Sequence, residues 1–410
     1  MTGRRMLGLL LVAAAAVPVA APMASHAAVP PSTGTAATRA ALVQQTLVDG
    51  EGRPVDGRGT TIAVIDTGVD PTHPAFALPG GASKIVRTLS ALPCLRYGEG
   101  SPFTQEFNDD PSCLVDVPSG TTSDAGHGGH GSFVSGVAVG DDYRLPDGTK
   151  VGGTAPGARI LMISATTALV GIDNAFRWLV LHHAHPCGDN VTASVCPPVR
   201  VVNCSWGAND RSIFRSQDAL ARAGVLTVWA NGNGGGDGST STSNVESTKD
   251  RTPGVISVAG YDDRGDGSRT GVVPTGSSRG AKNDPRTWPD LVAPSENIIG
   301  SCRAYHAICD AIETAAPRNG PASTDIATYF TGSGTSFAAP QVCGIIAMLF
   351  QVAPHASAAL IEHTLLHTAH RFRAGGPYQL VDGWWSSYDK GAGLVDAYAA
   401  AIVLGARPAP

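Results

Sequence analysis

Residues Tyr329–Phe350 read YFTGSGTSFAAPQVCGIIAMLF. Gly332-Ser333-Gly334-Thr335 forms a Gly-rich turn that runs directly into Ser336, and a long run of small and apolar residues follows. Such a run predicts a buried helix beginning at Ser336, with Pro340 in its first turn, where N–H groups have no intrahelical partner. A hydroxyl at a helix start is held in one place beside free backbone N–H donors, which can bind an anion. That placement suits a nucleophile that generates an oxyanion. Taken alone, a Ser there reads first as an N-cap on a core helix, so the nucleophile reading depends on the rest of the chain.

Two other stretches supply the context. Thr60–Phe76 reads TTIAVIDTGVDPTHPAF, in which the apolar, β-branched Ile62–Ile65 predicts a buried strand. Asp66 follows at its carboxyl end, where open α/β sheets place their sites. Gly126–Gly140 reads GHGGHGSFVSGVAVG, a Gly-rich turn leading into a small-residue helix with His130 at its start.

Together these stretches resemble the subtilisin-like serine proteases, the subtilases. The resemblance rests on Ile65-Asp66-Thr67-Gly68-Val69-Asp70, on His130-Gly131-Ser132-Phe133-Val134-Ser135-Gly136 and on Gly334-Thr335-Ser336-Phe337-Ala338-Ala339-Pro340, in the family's order Asp, His, Ser. An α/β-hydrolase is excluded, because its Ser comes first and lies in a G-x-S-x-G elbow. The resemblance implies an α/β, three-layer subtilisin-like fold with a mostly parallel central sheet flanked by helices. It implies a catalytic triad of Asp66, His130 and Ser336. Ala230-Asn231-Gly232-Asn233 matches the family's Ala-x-Gly-Asn, which makes Asn233 the side-chain oxyanion donor, with Asn231 its nearest rival. Ser205-Trp206-Gly207, after the expected strand Val199–Ser205, matches the segment that lines the substrate pocket. His127 is the rival base, but only a motif starting at His130 keeps Gly131, Val134 and Gly136 on the family pattern. The resemblance covers about Ala40–Leu404.

The chain has 410 residues, 42% hydrophobic and 15% charged, enough for a sizeable core. Its net charge of −5 carries no dominant block, so nucleic acid is not an expected partner. Arg4-Arg5, the apolar Leu7–Ala16 and the small residues up to Ser25-His26-Ala27 read as a cleaved signal peptide over 1–27, and hence as secretion without a membrane anchor. No later stretch is expected to span a bilayer. Residues 28–39 read as a flexible segment, 40–405 as the catalytic domain with insertions near 90–124 and 300–327, and 406–410 as a tail. Residues 28 to about 60 are too few for the folding propeptide that many secreted relatives carry.

Eight cysteines fit an oxidising compartment. Proximity pairs Cys94 with Cys113, Cys187 with Cys196 and Cys302 with Cys309. Cys204 and Cys343 are expected as buried thiols, ahead of a fourth disulfide. The cluster His182, His183, His185, Cys187 reads as a helix end rather than a metal site. Asp262-Asp263-Arg264-Gly265-Asp266-Gly267 reads as a solvated turn. No metal ligand is assigned: the expected chemistry requires no cofactor, and structural calcium, common in the family, has no assignable ligands here. The expected function is a secreted endopeptidase, monomeric, acting on proteins or peptides through an acyl-enzyme. The alternatives are a narrow processing protease or transpeptidase on the same triad, and a non-catalytic binding protein on this scaffold.

Overall fold

The apolar runs become the strands of one sheet. In the computed structural model, residues 32–97, 105–107, 110–124, 128–145, 148–165, 169–207, 213–243, 250–303, 308 and 329–410 are described. The strands are β1 (Thr61–Asp66), β2 (Ile85–Ser90), β3 (Val115–Asp116), β4 (Arg159–Ser164), β5 (Val199–Cys204), β6 (Leu226–Ala230), β7 (Val255–Tyr261) and β8 (Leu291–Pro294). They lie in the order β8-β7-β6-β5-β1-β4-β2-β3. Every neighbouring pair is parallel except β2 and β3. From β1 the chain lays down β2 and the edge strand β3 on one side and returns to insert β4 between β2 and β1, then crosses β1 and builds outward on the other side as β5 to β8. The direction of winding therefore reverses beside β1, which opens a crevice at the strands' carboxyl ends.

Seven α-helices are described: α1 (Ala40–Thr46), α2 (His130–Val139), α3 (Leu169–His182), α4 (Phe214–Arg222), α5 (Thr335–Val352), α6 (Ala358–Thr368) and α7 (Ala397–Val403). Successive residues of a strand face opposite sides of a sheet, and the core divides accordingly. Ile62, Val64, Val201 and Val228 pack with residues of α2, α5 and α6. Ala63, Ile65, Val202 and Trp229 pack with Ile172, Phe176 and Leu179 of α3 on the other side. This is the expected three-layer α/β arrangement.

The same alternation separates two cysteines. Cys204 belongs to the α3 side and Cys343 to the α5 side of the sheet. Both are buried free thiols. Burial pushes both pKa values well above the ordinary thiol value, and the nearby Cys343 and Asp66 add to this at Cys204. Thiols held protonated in this way are inert. Cys94–Cys113 and Cys187–Cys196 are disulfides as expected. Cys302 is disulfide-bonded, and Cys309 lies outside the described residues.

Five expectations need correction. Residues 32–39, expected to be flexible, are packed: the Ser32 hydroxyl donates to Asp263 Oδ2 at 2.7 Å, and its backbone N–H donates to the Asn297 carbonyl at 3.0 Å. Asp263 is therefore a buried anchor, only 1% exposed, rather than part of a solvated turn. The 406–410 tail is paired, with Arg407 opposite Val48 and Pro408 opposite Leu47. Thr335–Val352 is long and apolar enough to cross a membrane, although 89% of it is buried inside the protein, which makes it a core helix here. It also starts before Ser336, so Pro340 falls in the second turn and not the first.

Gly34 shows how closely the N-terminal segment sits. Its φ is +74°, and a Cβ there would lie 2.0 Å from Gln341 Oε1 of α5. Gln341 is itself fully buried and donates to the carbonyls of Pro294 and Phe337. Gly34→Val is expected to lower the unfolding free energy by about 1–3 kcal/mol through backbone strain and this clash. Urea unfolding checks it, and an unchanged midpoint would mean that residues 32–39 are not docked in solution.

Candidate active site

Asp66 ends β1 at the crevice. Its side chain is almost fully buried, and its Oδ1 accepts the Thr67 N–H at 2.7 Å. His130 begins α2, and its Nδ1 lies 2.8 Å and 3.0 Å from the two Asp66 oxygens. A carboxylate only accepts, so Nδ1 carries the proton and Nε2 is left as the bare nitrogen. Burial of the ring opposes its protonation, but the Asp66 charge, its hydrogen bond and the nearby Asp124 charge outweigh this. The His130 pKa is raised above the ordinary imidazole value.

The close approach of α2 to the Asp66 loop depends on small residues. A Cβ on Gly131 would stand 2.1 Å from the Gly68 carbonyl oxygen. Asp124, fully buried, organises the same junction. Its Oδ2 accepts the Ser132 N–H at 2.9 Å and the Ser132 hydroxyl at 2.7 Å. Its Oδ1 accepts the Thr67 hydroxyl at 2.7 Å and the Gly129 N–H at 3.2 Å. One carboxylate thus satisfies the orphan donors of the α2 start and ties them to the residue after Asp66. The sequence reading missed Asp124. An acid shortly before a helix start was the available signal.

Ser336 is the second residue of α5, after the Gly334 N-cap. Its hydroxyl donates to the Ser205 carbonyl at 2.8 Å, and the Ser205 hydroxyl donates to the Ser336 carbonyl at 2.7 Å. The His130 ring centroid is 5.9 Å from that of Phe337, the next residue along. Phe337 packs in turn on Phe133 of α2 at 4.3 Å. Four elements (β1, α2, β5 and α5) therefore bring Asp66, His130, Ser205 and Ser336 to one place. In this resting arrangement the Ser336 hydroxyl proton is engaged by Ser205, and no hydrogen bond joins Ser336 to His130.

Asn233 follows β6 and is exposed. Its Oδ1 accepts the Thr335 N–H at 2.9 Å and the Thr335 hydroxyl at 3.0 Å. A backbone N–H can only donate, which settles the amide orientation. Nδ2 lies beside Gly334, 3.2 Å from where a Cβ would stand, two residues from Ser336. Asn231 is fully buried and donates to the Ser278 carbonyl at 2.9 Å, away from the crevice. Trp206 Nε1 donates to the Ile65 carbonyl at 2.6 Å, and its ring meets Trp229 edge-on at 4.8 Å. Its indole therefore braces β1, while Gly207 is exposed. Arg303, from the start of the second insertion, donates to Asp70 Oδ2 at 2.9 Å, with side chains only 12% and 2% exposed. This joins the insertion to the Asp66 loop. His127 lies outside the described residues. Among the described residues no three His, Cys, Asp or Glu side chains gather as a metal site.

The comparisons with known proteins give the family and the fold. A sequence profile described as the subtilase family, Peptidase_S8, matches residues 57–394, and the chain belongs to that family. It is 29% identical over 352 residues to fervidolysin of Fervidobacterium pennivorans, covering 84% of this chain and 41% of that protein. It is 27% identical over 337 residues to serine protease AprX of Bacillus subtilis, covering 80% of this chain and 64% of the relative. The chain thus spans less than two thirds of either relative. The crystal structure of fervidolysin, described as a keratinolytic enzyme related to subtilisin, aligns with a TM-score of 0.55 at 28% identity, covering 87% of this chain and 43% of that one.

The Asp66–His130 pair has a measurable sign. A raised folded pKa makes its contribution to stability complete below the ordinary imidazole pKa, and that contribution is lost as pH rises through the raised value. Asp66→Asn removes the charge that raises it. The His130 ring, followed by NMR, is expected to titrate above about 6.5 in the natural chain and at lower pH in the variant. An unmoved titration would mean that Asp66 does not set the imidazole's charge.

Proposed function

We propose that this chain is a serine endopeptidase that cleaves peptide bonds through an acyl-enzyme. The observation that carries the reading is the buried Asp66–His130 pair, which leaves a bare imidazole nitrogen beside the start of α5. Ser336 Oγ attacks the scissile carbonyl after turning from Ser205 towards His130. His130 accepts its proton and later delivers it to the leaving amine. Asp66 keeps the imidazole in the required tautomer and stabilises the imidazolium. Asn233 Nδ2 and the Ser336 N–H receive the oxyanion. Ser205, Trp206 and Gly207 border the substrate, with Ser205 and Gly207 offering backbone to an extended peptide in the manner of an added strand. This chemistry requires no cofactor. We place the enzyme outside the cytoplasm. The N-terminal signal-like segment and the disulfides support that, as does a relative named extracellular protease in Xanthomonas campestris, 26% identical over 361 residues.

A fluorophosphonate probe tests the assignment. Adduct is expected on Ser336 alone, and on no residue in Ser336→Ala. Asn233→Ala is expected to lower kcat by about 10²–10³ with little change in KM, because the donor acts on charge that develops only in the transition state. Folded protein without an adduct would defeat the proposal, as would full turnover in Asn233→Ala for the oxyanion assignment.

A further inference from the structure

Asn203 is a polar residue inside the sheet. It lies in β5 and is 0% exposed. Its alternate neighbour Val201 packs on the α5 side, and Cys343 of α5 donates its S–H to Asn203 Oδ1 at 3.5 Å. Asn203 Nδ2 donates to the Ser205 hydroxyl oxygen at 3.0 Å. That hydroxyl has one proton and two oxygens in reach, the Ser336 carbonyl at 2.7 Å and Asn203 Oδ1 at 3.4 Å. The shorter contact takes it, because the Asn203 amide approaches as a donor.

The Ser336 carbonyl is open to this bond for a covalent reason. In an α-helix it would accept the N–H of the residue four positions on. That residue is Pro340, inside α5, which has no N–H. The Ser205 hydroxyl meets the acceptor that Pro340 leaves, and the Ser205 carbonyl receives the Ser336 hydroxyl at 2.8 Å. The two serines are therefore locked by reciprocal bonds, and Asn203 sets the direction of one of them.

We propose that Asn203 is a positioning residue, which acts through the Ser205 hydroxyl to hold the substrate-pairing segment and Ser336 in one register. This rests on Ser336 being the nucleophile. Asn203 touches neither substrate nor reacting atoms. It keeps the Ser205 hydroxyl pointed at the Ser336 carbonyl. Without it that hydroxyl turns, and the end of β5 and the start of α5 lose their common reference at the point where the attacking oxygen must lie in line with a bound peptide. Misplacement there affects the chemical step more than binding.

A double-mutant cycle on the full chain tests this, with Asn203→Ala, Ser205→Ala, their combination and Ser205→Thr. The readouts are kcat and KM on a peptide, the fluorophosphonate labelling rate at Ser336, and urea unfolding. Each alanine variant is expected to lose about 10- to 10²-fold in kcat and in labelling rate, with KM moved less than about threefold. The combination is expected to be no slower than the worse single variant, because both break one relay. Ser205→Thr, which keeps the hydroxyl, is expected to recover most of the rate. Additive losses, or a kcat unchanged in Asn203→Ala despite lowered stability, would overturn the proposal. If Asn203→Ala does not fold, Ser205→Ala against Ser205→Thr decides: equal rates overturn it. A natural chain that is not labelled at Ser336 would overturn the nucleophile assignment and the relay together. A labelled natural chain with an unaffected Ser205→Ala would overturn the relay alone.

Discussion

Burial of α5 under the sheet is the constraint on which the site depends. Nearly every side chain from Phe337 to Gln351 is buried, packed against β5, β6, β7 and β8. A helix held on so many strands has no freedom to slide or turn without opening the core, since interiors pack at crystalline density. Its first residues therefore have a fixed position relative to the carboxyl ends of those strands. Ser336 inherits that position, while its partners come from β1, α2 and β5.

Two carboxylates far apart in the chain, Asp66 and Asp124, do different work on either side of Thr67. Asp66 is aimed at an imidazole and holds its tautomer. Asp124 is aimed at backbone N–H groups and hydroxyls, and holds the helix that carries the imidazole. Neither is left without partners, as buried charge requires. The result is a rigid junction between the Asp66 loop and α2, made possible by the absence of a side chain at Gly131. Rigidity at this point suits general-base chemistry, in which a bare nitrogen must wait in one place for a proton.

Much of this was legible before the fold was known. The apolar runs of β1 and β5 mark strands because a strand buried on both faces sustains short β-branched stretches without polar alternation. Asp66, His130 and Ser336 stand out because Gly-rich turns flank two of them and a strand ends at the third. The N-terminal segment was misread for a physical reason. Its Pro, Thr, Ala and Ser content is that of a loose linker, yet Ser32 meets Asp263 across 231 positions. Composition cannot report a partner so far away in the chain.

Local sequence determined what each segment could become: the strands, the helix starts, the turn before Ser336 and the short disulfide loops. These follow from side-chain branching, glycine and proline, and closeness along the chain. Only the tertiary structure decided which groups meet. It turned Asn233 towards the crevice and buried Asn231, placed Cys204 and Cys343 on opposite sides of the sheet, and brought Asn203, Ser205 and Ser336 into one hydrogen-bonded group. Those outcomes depend on strand order and on which face of β5 meets α5. Such long-range pairings are fixed by packing of the whole core, and no single segment encodes them.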